Sequence, residues 1–347
     1  MSGLKHWWVR VLLAALPLGS VLHTQVAAAC AGCRNPSLAT ARASGGYLSE
    51  GELRSVATLS STHVAVLHPA GCADLNDCHE VPVQREYVHD QTLLPIELRL
   101  GAEYGLTDAF GLELQLPVRM VTNGIEFTTP SGDPYVPLDA DVHHRNETIL
   151  GLSDPLLLAR YGTLASQFFL AARLGVSVPL GRTEEDPYEL GDQGIRHQHI
   201  QLGSGTFDPT VALEASRYFD PITWQWSAQV AASLYENTHG YRSPWRVQTG
   251  FGGTATLVSE LSGGLSIGVF HETAEHWQGV SRQDASLGRT EAYAEASLSQ
   301  LWAETQFSLN VRVPVYRKII EGHEPLGEFS SPLAIQLGVG RTWDLVE

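Results

Sequence analysis

The chain has 347 residues, 22 Lys and Arg against 38 Asp and Glu, and a formal net charge of −16. Beyond the N-terminal stretch Lys318 is the only lysine. With no basic stripe to neutralise phosphates, nucleic acid is excluded as a partner. The length admits two ordinary domains or one large β domain; no Pro/Ser-rich linker or shift in composition divides the halves, which favours one domain behind a short N-terminal extension.

In chain order, Lys5 and Arg10 precede the apolar run VLLAALPLGSVL and the small residues QVAAAC. This is the layout of a secretory signal peptide. The run is shorter than the ~20 apolar residues of a spanning helix, and no other stretch approaches that length. Cleavage is expected between Ala28 and Cys30, with acylation of Cys30 as the alternative. We therefore assign 1–29 to the signal peptide, 30–52 to a Cys-containing segment and 53–347 to the main domain. Loss of Lys5 and Arg10 takes the net charge from −16 to −18.

The four cysteines stand as Cys30-x-x-Cys33 and Cys72…Cys78. Disulfides are the default in an exported chain, and local pairing, 30 with 33 and 72 with 78, is the simplest connectivity. No His follows Cys33, so covalent haem attachment is excluded.

The clearest local pattern lies in LPIELRLGAEYGLTDAFGLELQLPVRM, residues 94–120. Leu94, Ile96, Leu98, Leu100 and Ala102 alternate with Glu97, Arg99, Gly101 and Glu103. After 107–109 the alternation resumes, with Phe110, Leu112, Leu114, Leu116 and Val118 against Glu113, Gln115 and Arg119. A period of two places the sets on opposite faces of a strand, and the short break predicts an antiparallel hairpin.

The same alternation recurs around 168–180, 224–234, 304–315 and 333–340. Weaker copies lie near 148–162, 205–219, 244–258, 261–273 and 289–302, with the least regular near 53–67. No helical periodicity is apparent beyond the signal peptide. Short connections near 107–109, 162–166, 219–222, 258–261 and 301–303 alternate with long ones near 68–91, 128–147, 181–204, 237–243, 274–288 and 318–330. About twelve strands, short turns at one end and long loops at the other predict an all-β, antiparallel up-and-down transmembrane barrel. Such a barrel lies in the bacterial outer membrane with both termini periplasmic, and barrel-assembly machinery is an expected partner. Its apolar face meets the lipid bilayer.

The opposite face lines the lumen. The candidate lumen residues are Glu97, Arg99, Glu103, Glu113, Arg119, Arg173, Glu214, Arg246, Glu291, Glu295, Glu304 and Arg312. They form either a polar conduit that selects a small solute or a salt-bridged filling that closes a narrow barrel. Histidines gather in the presumed outer loops, and His143, His144, His197 and His199 are the candidate metal ligands. The last two could share an ion if they lay on a strand. No defined metal-site spacing is present, and no cofactor is expected. His271 and Thr273 fall two apart at a strand end, as in an outer-membrane lipid hydrolase. The Asn that follows in those enzymes is missing, so catalysis is only a remote alternative to transport.

At GLSDPLLLARYG (151–162) and GSGTFDPTVALEASRYF (203–219) the chain resembles the bacterial outer-membrane barrels assigned as transporters of the meta-pathway of phenol degradation. The shared features are a Gly-x-x-Asp opening one strand and a Gly-Thr-Phe-Asp-Pro opening the next. The resemblance spans about 90–347 and implies a channel-like outer-membrane barrel. It carries over no binding residue.

Overall fold

The computed structural model describes residues 48–69, 88–129, 131–136, 145–281, 288–319, 328–331 and 333–345. All four cysteines, His143 and His144 lie outside the described residues. The strands are β1 (Glu52–Thr62), β2 (Val64–Pro69), β3 (Val88–Gly105), β4 (Phe110–Thr128), β5 (Glu147–Leu152), β6 (Leu156–Ala165), β7 (Phe168–Ser177), β8 (Pro209–Phe219) and β9 (Ile222–Ala231). They continue as β10 (Tyr241–Arg242), β11 (Arg246–Val258), β12 (Leu261–Glu272), β13 (His276–Trp277), β14 (Arg289–Trp302), β15 (Thr305–Ile319), β16 (Glu328–Ser330) and β17 (Ala334–Asp344). One short helix, α1 (Pro187–Asp192), lies in the loop between β7 and β8. At six residues it is too short to leave a periodic signature.

Twelve antiparallel strands close on themselves in the order β1, β3, β4, β6, β7, β8, β9, β11, β12, β14, β15, β17 and back to β1. The closing seam runs from Glu52↔Asp344 to Thr62↔Ala334. Closure leaves no open edge among these strands, so their backbone donors and acceptors are satisfied around the ring. Two strands are broken along their length. β2 carries on from β1 beyond His63 and stays on β3, and β5 and β6 follow one another along β4 with Ser153-Asp154-Pro155 between them.

Short connections join the strands at one end of the barrel. Ala303–Glu304 is one of the two-residue turns, lying between the paired Trp302 and Thr305. Both residues have positive φ, 47° and 63°. That is the mirror-image turn whose twist matches a two-residue hairpin, here made without glycine.

The radial order is inverted relative to a water-soluble β protein. Arg173 is 3% and Arg312 5% exposed, whereas Leu265 is 69% and Ile267 66% exposed. Large apolar side chains of almost every strand point out, and charged ones point in. The only apolar core cluster among the described residues joins Val64, Leu93, Val121 and Ile149 of the wall to Ile200 and Leu202 of the β7–β8 connection. That connection therefore folds against the inside of the wall at the long-loop end.

Candidate functional site: an ion-paired interior beneath a folded lid

The interior is built from strand parity. In the β3–β4 register Glu103 stands opposite Glu113, and in the β6–β7 register Arg160 stands opposite Arg173. Like charges directly across a ladder repel, and the pattern is relieved by bonds reaching beyond the direct partner. Glu103 receives Arg160 Nη1 at 2.8 Å and lies 3.6 Å from Arg54 Nη1. Arg173 holds Glu113 Oε2 at 2.9 Å through Nε and also bonds Glu214. Two interleaved ion-pair chains, Arg54–Glu103–Arg160 and Glu113–Arg173–Glu214, thus span β1 to β8 near the short-turn end.

A second band begins with Arg99, which holds Glu97 at 2.6 Å and donates to Gln115 Oε1 at 3.2 Å. Arg119 lies directly opposite Glu97 in the register and is buried. Across the lumen Arg312 donates through Nε and Nη2 to Glu295 at 3.1 and 3.0 Å, and its guanidinium lies 3.9 Å from the centre of the Tyr293 ring. Arg317 donates to Glu291 at 2.8 and 2.6 Å. Tyr293 lies against Gly268, where any Cβ would collide with its ring, so glycine makes room for the aromatic plate. Towards the long loops Glu272 sits between Arg246 at 3.6 Å and Arg289 at 3.4 Å.

Glu97, Arg99, Glu103, Glu113, Arg119, Arg173, Glu214, Arg246, Glu291, Glu295 and Arg312 accordingly share the inner face. Glu304 does not, and the sequence expectation is corrected there: it occupies the positive-φ turn, its side chain is 77% exposed, and it pairs with Arg341 at 2.7 Å. Sequence reasoning missed Arg54, Arg160, Glu272, Arg289 and Arg317. For Arg160 the signal was present, since Leu157, Ala159 and Tyr161 flank it in strict alternation.

Three long connections interlock at the other end. Segment 178–208 carries α1, whose N-cap Asp186 accepts from Tyr188 N at 2.9 Å, with Pro187 in the first turn. The segment is fastened to the wall by Asp154, whose carboxylate accepts Gly181 N at 2.9 Å, Ser204 N at 2.6 Å and Ser204 Oγ at 2.8 Å. Gly181 and Gly203 meet backbone to backbone beside it, where a Cβ on Gly203 would lie 2.7 Å from Gly181 Cα.

Asp208, the acid of the Gly-Thr-Phe-Asp-Pro stretch, accepts Thr206 Oγ1 at 2.6 Å and donates its own N–H to Ser177 Oγ at 3.1 Å. The two acids in the stretches that carry the family resemblance therefore fix where the lid leaves and rejoins the barrel. Asn237 ties in the second connection by donating to Ser204 O at 3.0 Å and accepting Tyr241 N at 3.1 Å. The third joins through Gln278, which donates to Asp186 at 3.4 Å, and Gly279 N, which donates to Glu236 at 2.7 Å.

The lid has an aromatic centre. Trp277 of β13 meets Tyr241 of the paired β10 at 4.9 Å and Tyr188 of α1 at 6.0 Å between ring centres. His199 meets Tyr188 at 5.3 Å and His197 at 5.1 Å. His197 and His199 lie in extended loop rather than on a strand, and His197 Nδ1 is 2.8 Å from Ile195 O. Among the described residues no three His, Cys, Asp or Glu side chains converge to hold a metal. Burial lowers the His197 pKa below its ordinary value, with Arg145 adding to the effect and the Ile195 carbonyl opposing it. His271 bonds Thr290 Oγ1 at 3.0 Å, while the Thr273 hydroxyl accepts Trp245 N at 3.0 Å. The two do not form a nucleophile–base pair.

No protein-family model matches the chain, and no curated protein matches it. Solved structures do. The COG4313 outer membrane channel from Pseudomonas putida F1 superposes with a TM-score of 0.57 at 12% identity, covering 88% of this chain and 100% of that one. A Pseudomonas aeruginosa FadL homologue has a TM-score of 0.39 at 9% identity, over 85% of this chain and 91% of that one. The Pseudomonas putida toluene transporter TodX has a TM-score of 0.42 at 8% identity, over 86% and 91%. The first likeness shares the barrel architecture along its whole length.

Proposed function

We propose that this chain is an outer-membrane channel that admits a small solute through its polar interior when the lid shifts. The observation that carries the reading is the inverted barrel: an apolar outer surface on a closed ring of strands around an ion-paired interior. Exposed leucines and isoleucines are stable against acyl chains and costly against water. The match to an outer membrane channel agrees with this reading. Residues 1–29 would be removed on export, and 30–52 would lie with both termini on the periplasmic side, where the short turns also face. The long loops then face outward, and barrel-assembly machinery inserts the chain.

In the interior, arginines and carboxylates would offer a solute exchangeable hydrogen-bond partners. Glu103, Arg173 and Glu272 each have two partners of opposite sign, so at these three a polar guest can displace one contact without stranding an isolated ion. The interlocked lid is the barrier this pathway must open.

Single-channel recording in planar bilayers tests the proposal. Refolded protein should give conductance steps, and deletion of 183–201 should raise their frequency or size. A barrel that inserts but stays silent in both forms would have a filled lumen, and its role would then be structural or one of binding through its loops.

A further inference from the structure

On β8, Thr210 and Ala212 are buried while Val211 and Leu213 are exposed, so odd positions face outward. Arg217 has the outward parity. It lies at the short-turn end, with its guanidinium carbon 4.0 Å from the centre of the Phe219 ring and 4.9 Å from that of Phe168. Its Nη2 donates to Gln167 Oε1 in the β6–β7 turn. Among the described residues Arg217 forms no ion pair, and its Nε is a buried donor without a partner. Arg341 is the informative contrast. It too faces outward over an aromatic ring, 4.1 Å from Trp343, but Glu304 neutralises it.

The apolar surface beside Arg217 is not flat. Arg217 pairs across the ladder with Trp224, which stacks on Phe251 at 5.4 Å and 8°. Those two rings begin a groove of about 500 Å³ that continues past Leu265, Ile267, Val311 and Val313. Ala294 and Ala296 line it between these larger side chains. From β9 to β15 the groove crosses four strand spacings, about 19 Å at ~4.8 Å each, comparable to an extended acyl chain.

We propose that Arg217 and this groove form a binding site for one glycerophospholipid of the periplasmic leaflet, with the phosphate on Arg217 and an acyl chain over Ala294 and Ala296. The inference rests on the outer-membrane reading. Charge selects the occupant: a guanidinium that forms no ion pair among the described residues, held by two rings at the apolar boundary, matches a phosphodiester that brings its own hydrocarbon. The aromatic clamp fixes the guanidinium in place, so little side-chain entropy remains to be lost on binding.

Native mass spectrometry of the refolded barrel in detergent tests this, with dipalmitoyl phosphatidylglycerol, the corresponding diacylglycerol and inorganic phosphate as separate probes. The wild type should retain one phospholipid in preference to both other probes. Arg217→Gln should weaken retention about tenfold, the order of one lost charge-assisted hydrogen bond. Ala296→Phe should weaken it by filling the groove, with Ala294→Leu as the second variant if that chain fails to assemble. Equal retention of diacylglycerol, binding of phosphate alone, or indifference to Arg217→Gln would overturn the site. A chain that needs detergent but prefers no phospholipid defeats this inference alone. A chain that is folded and soluble without detergent defeats the membrane reading and the site together.

Discussion

Glu103 and Glu113 face each other across the β3–β4 ladder on the inner face of the barrel, and arginines from β1, β6 and β7 hold them in place. Two carboxylates in direct register are tolerable only while those cations remain. Arg173 bridges Glu113 to Glu214 and is almost wholly buried. Arg173→Met should destabilise the barrel by about 3–5 kcal/mol, the range for stranding a buried charge. Adding Glu214→Gln should restore part of the loss, because the two sites are coupled. Denaturant titration of the refolded protein measures both.

The two faces of β3 should respond oppositely to exchange of charge. Leu98 is exposed on the apolar surface, whereas Arg99 bonds Glu97 and Gln115 inside. Leu98→Arg places a cation against acyl chains and should cost about 2–4 kcal/mol near the bilayer midplane. Arg99→Leu should assemble with a smaller defect. Folding yields in vesicles compare them, and equal defects would contradict the facing assigned to β3.

Asp154 is the fastening of the lid. Its carboxylate accepts from Gly181 N, Ser204 N and Ser204 Oγ, and Asp154→Ala should leave those donors without a shared acceptor. The local cost is about 1–3 kcal/mol per stranded group. Proteolysis within 181–204 and bilayer conductance should both increase while the strands stay intact. An unchanged cleavage rate would show that the lid is held elsewhere.

The lid should also loosen in acid. The ordinary His197 pKa of 6.5 is lowered in the folded protein, chiefly by burial. Unfolded lid then binds the proton more readily than folded lid, so its stability is complete above about pH 6.5 and declines as pH falls below that value. Hydrogen exchange of 195–202 should rise between neutral and acid pH. The rise should shrink in His197→Gln, which cannot take up the proton.

We propose local pairing for the cysteines, Cys72 with Cys78, and Cys30 with Cys33 unless that pair is reduced, metal-bound or broken by acylation of Cys30. Peptide mapping without reduction reads the connectivity. A peptide joining Cys33 to Cys72 or Cys78 would place the N-terminal segment within the barrel, because disulfide geometry needs Cα atoms within about 7 Å. The open-conduit reading would then fail.

Much of this barrel is legible in its residues because strand parity is a local property. Leu98 and Arg99 declare opposite faces without knowledge of their partners. Parity fails where a strand ends: Glu304 continues the odd-even count of β15 on paper, but the chain has already entered a left-handed turn. It is also weak where the apolar set is small, as around Arg54, whose neighbours Leu53, Ser55 and Ala57 contrast little with it. The lid was legible only as a long connection. His197, Ile200 and Leu202 are buried by contacts with other loops and with the wall, and no periodicity records such contacts.

The seam between β1 and β17 bears on timing. Ser55 and Arg341 meet there although 286 positions separate them. A chain emerging from its N-terminus must hold β1 without its final neighbour until the last strand arrives, and loop closure over that distance is slow. Throughout that interval the sheet has two unpaired margins and an apolar exterior, the combination most prone to aggregation. The hazard ends in a single event, when the last strand to arrive joins the first.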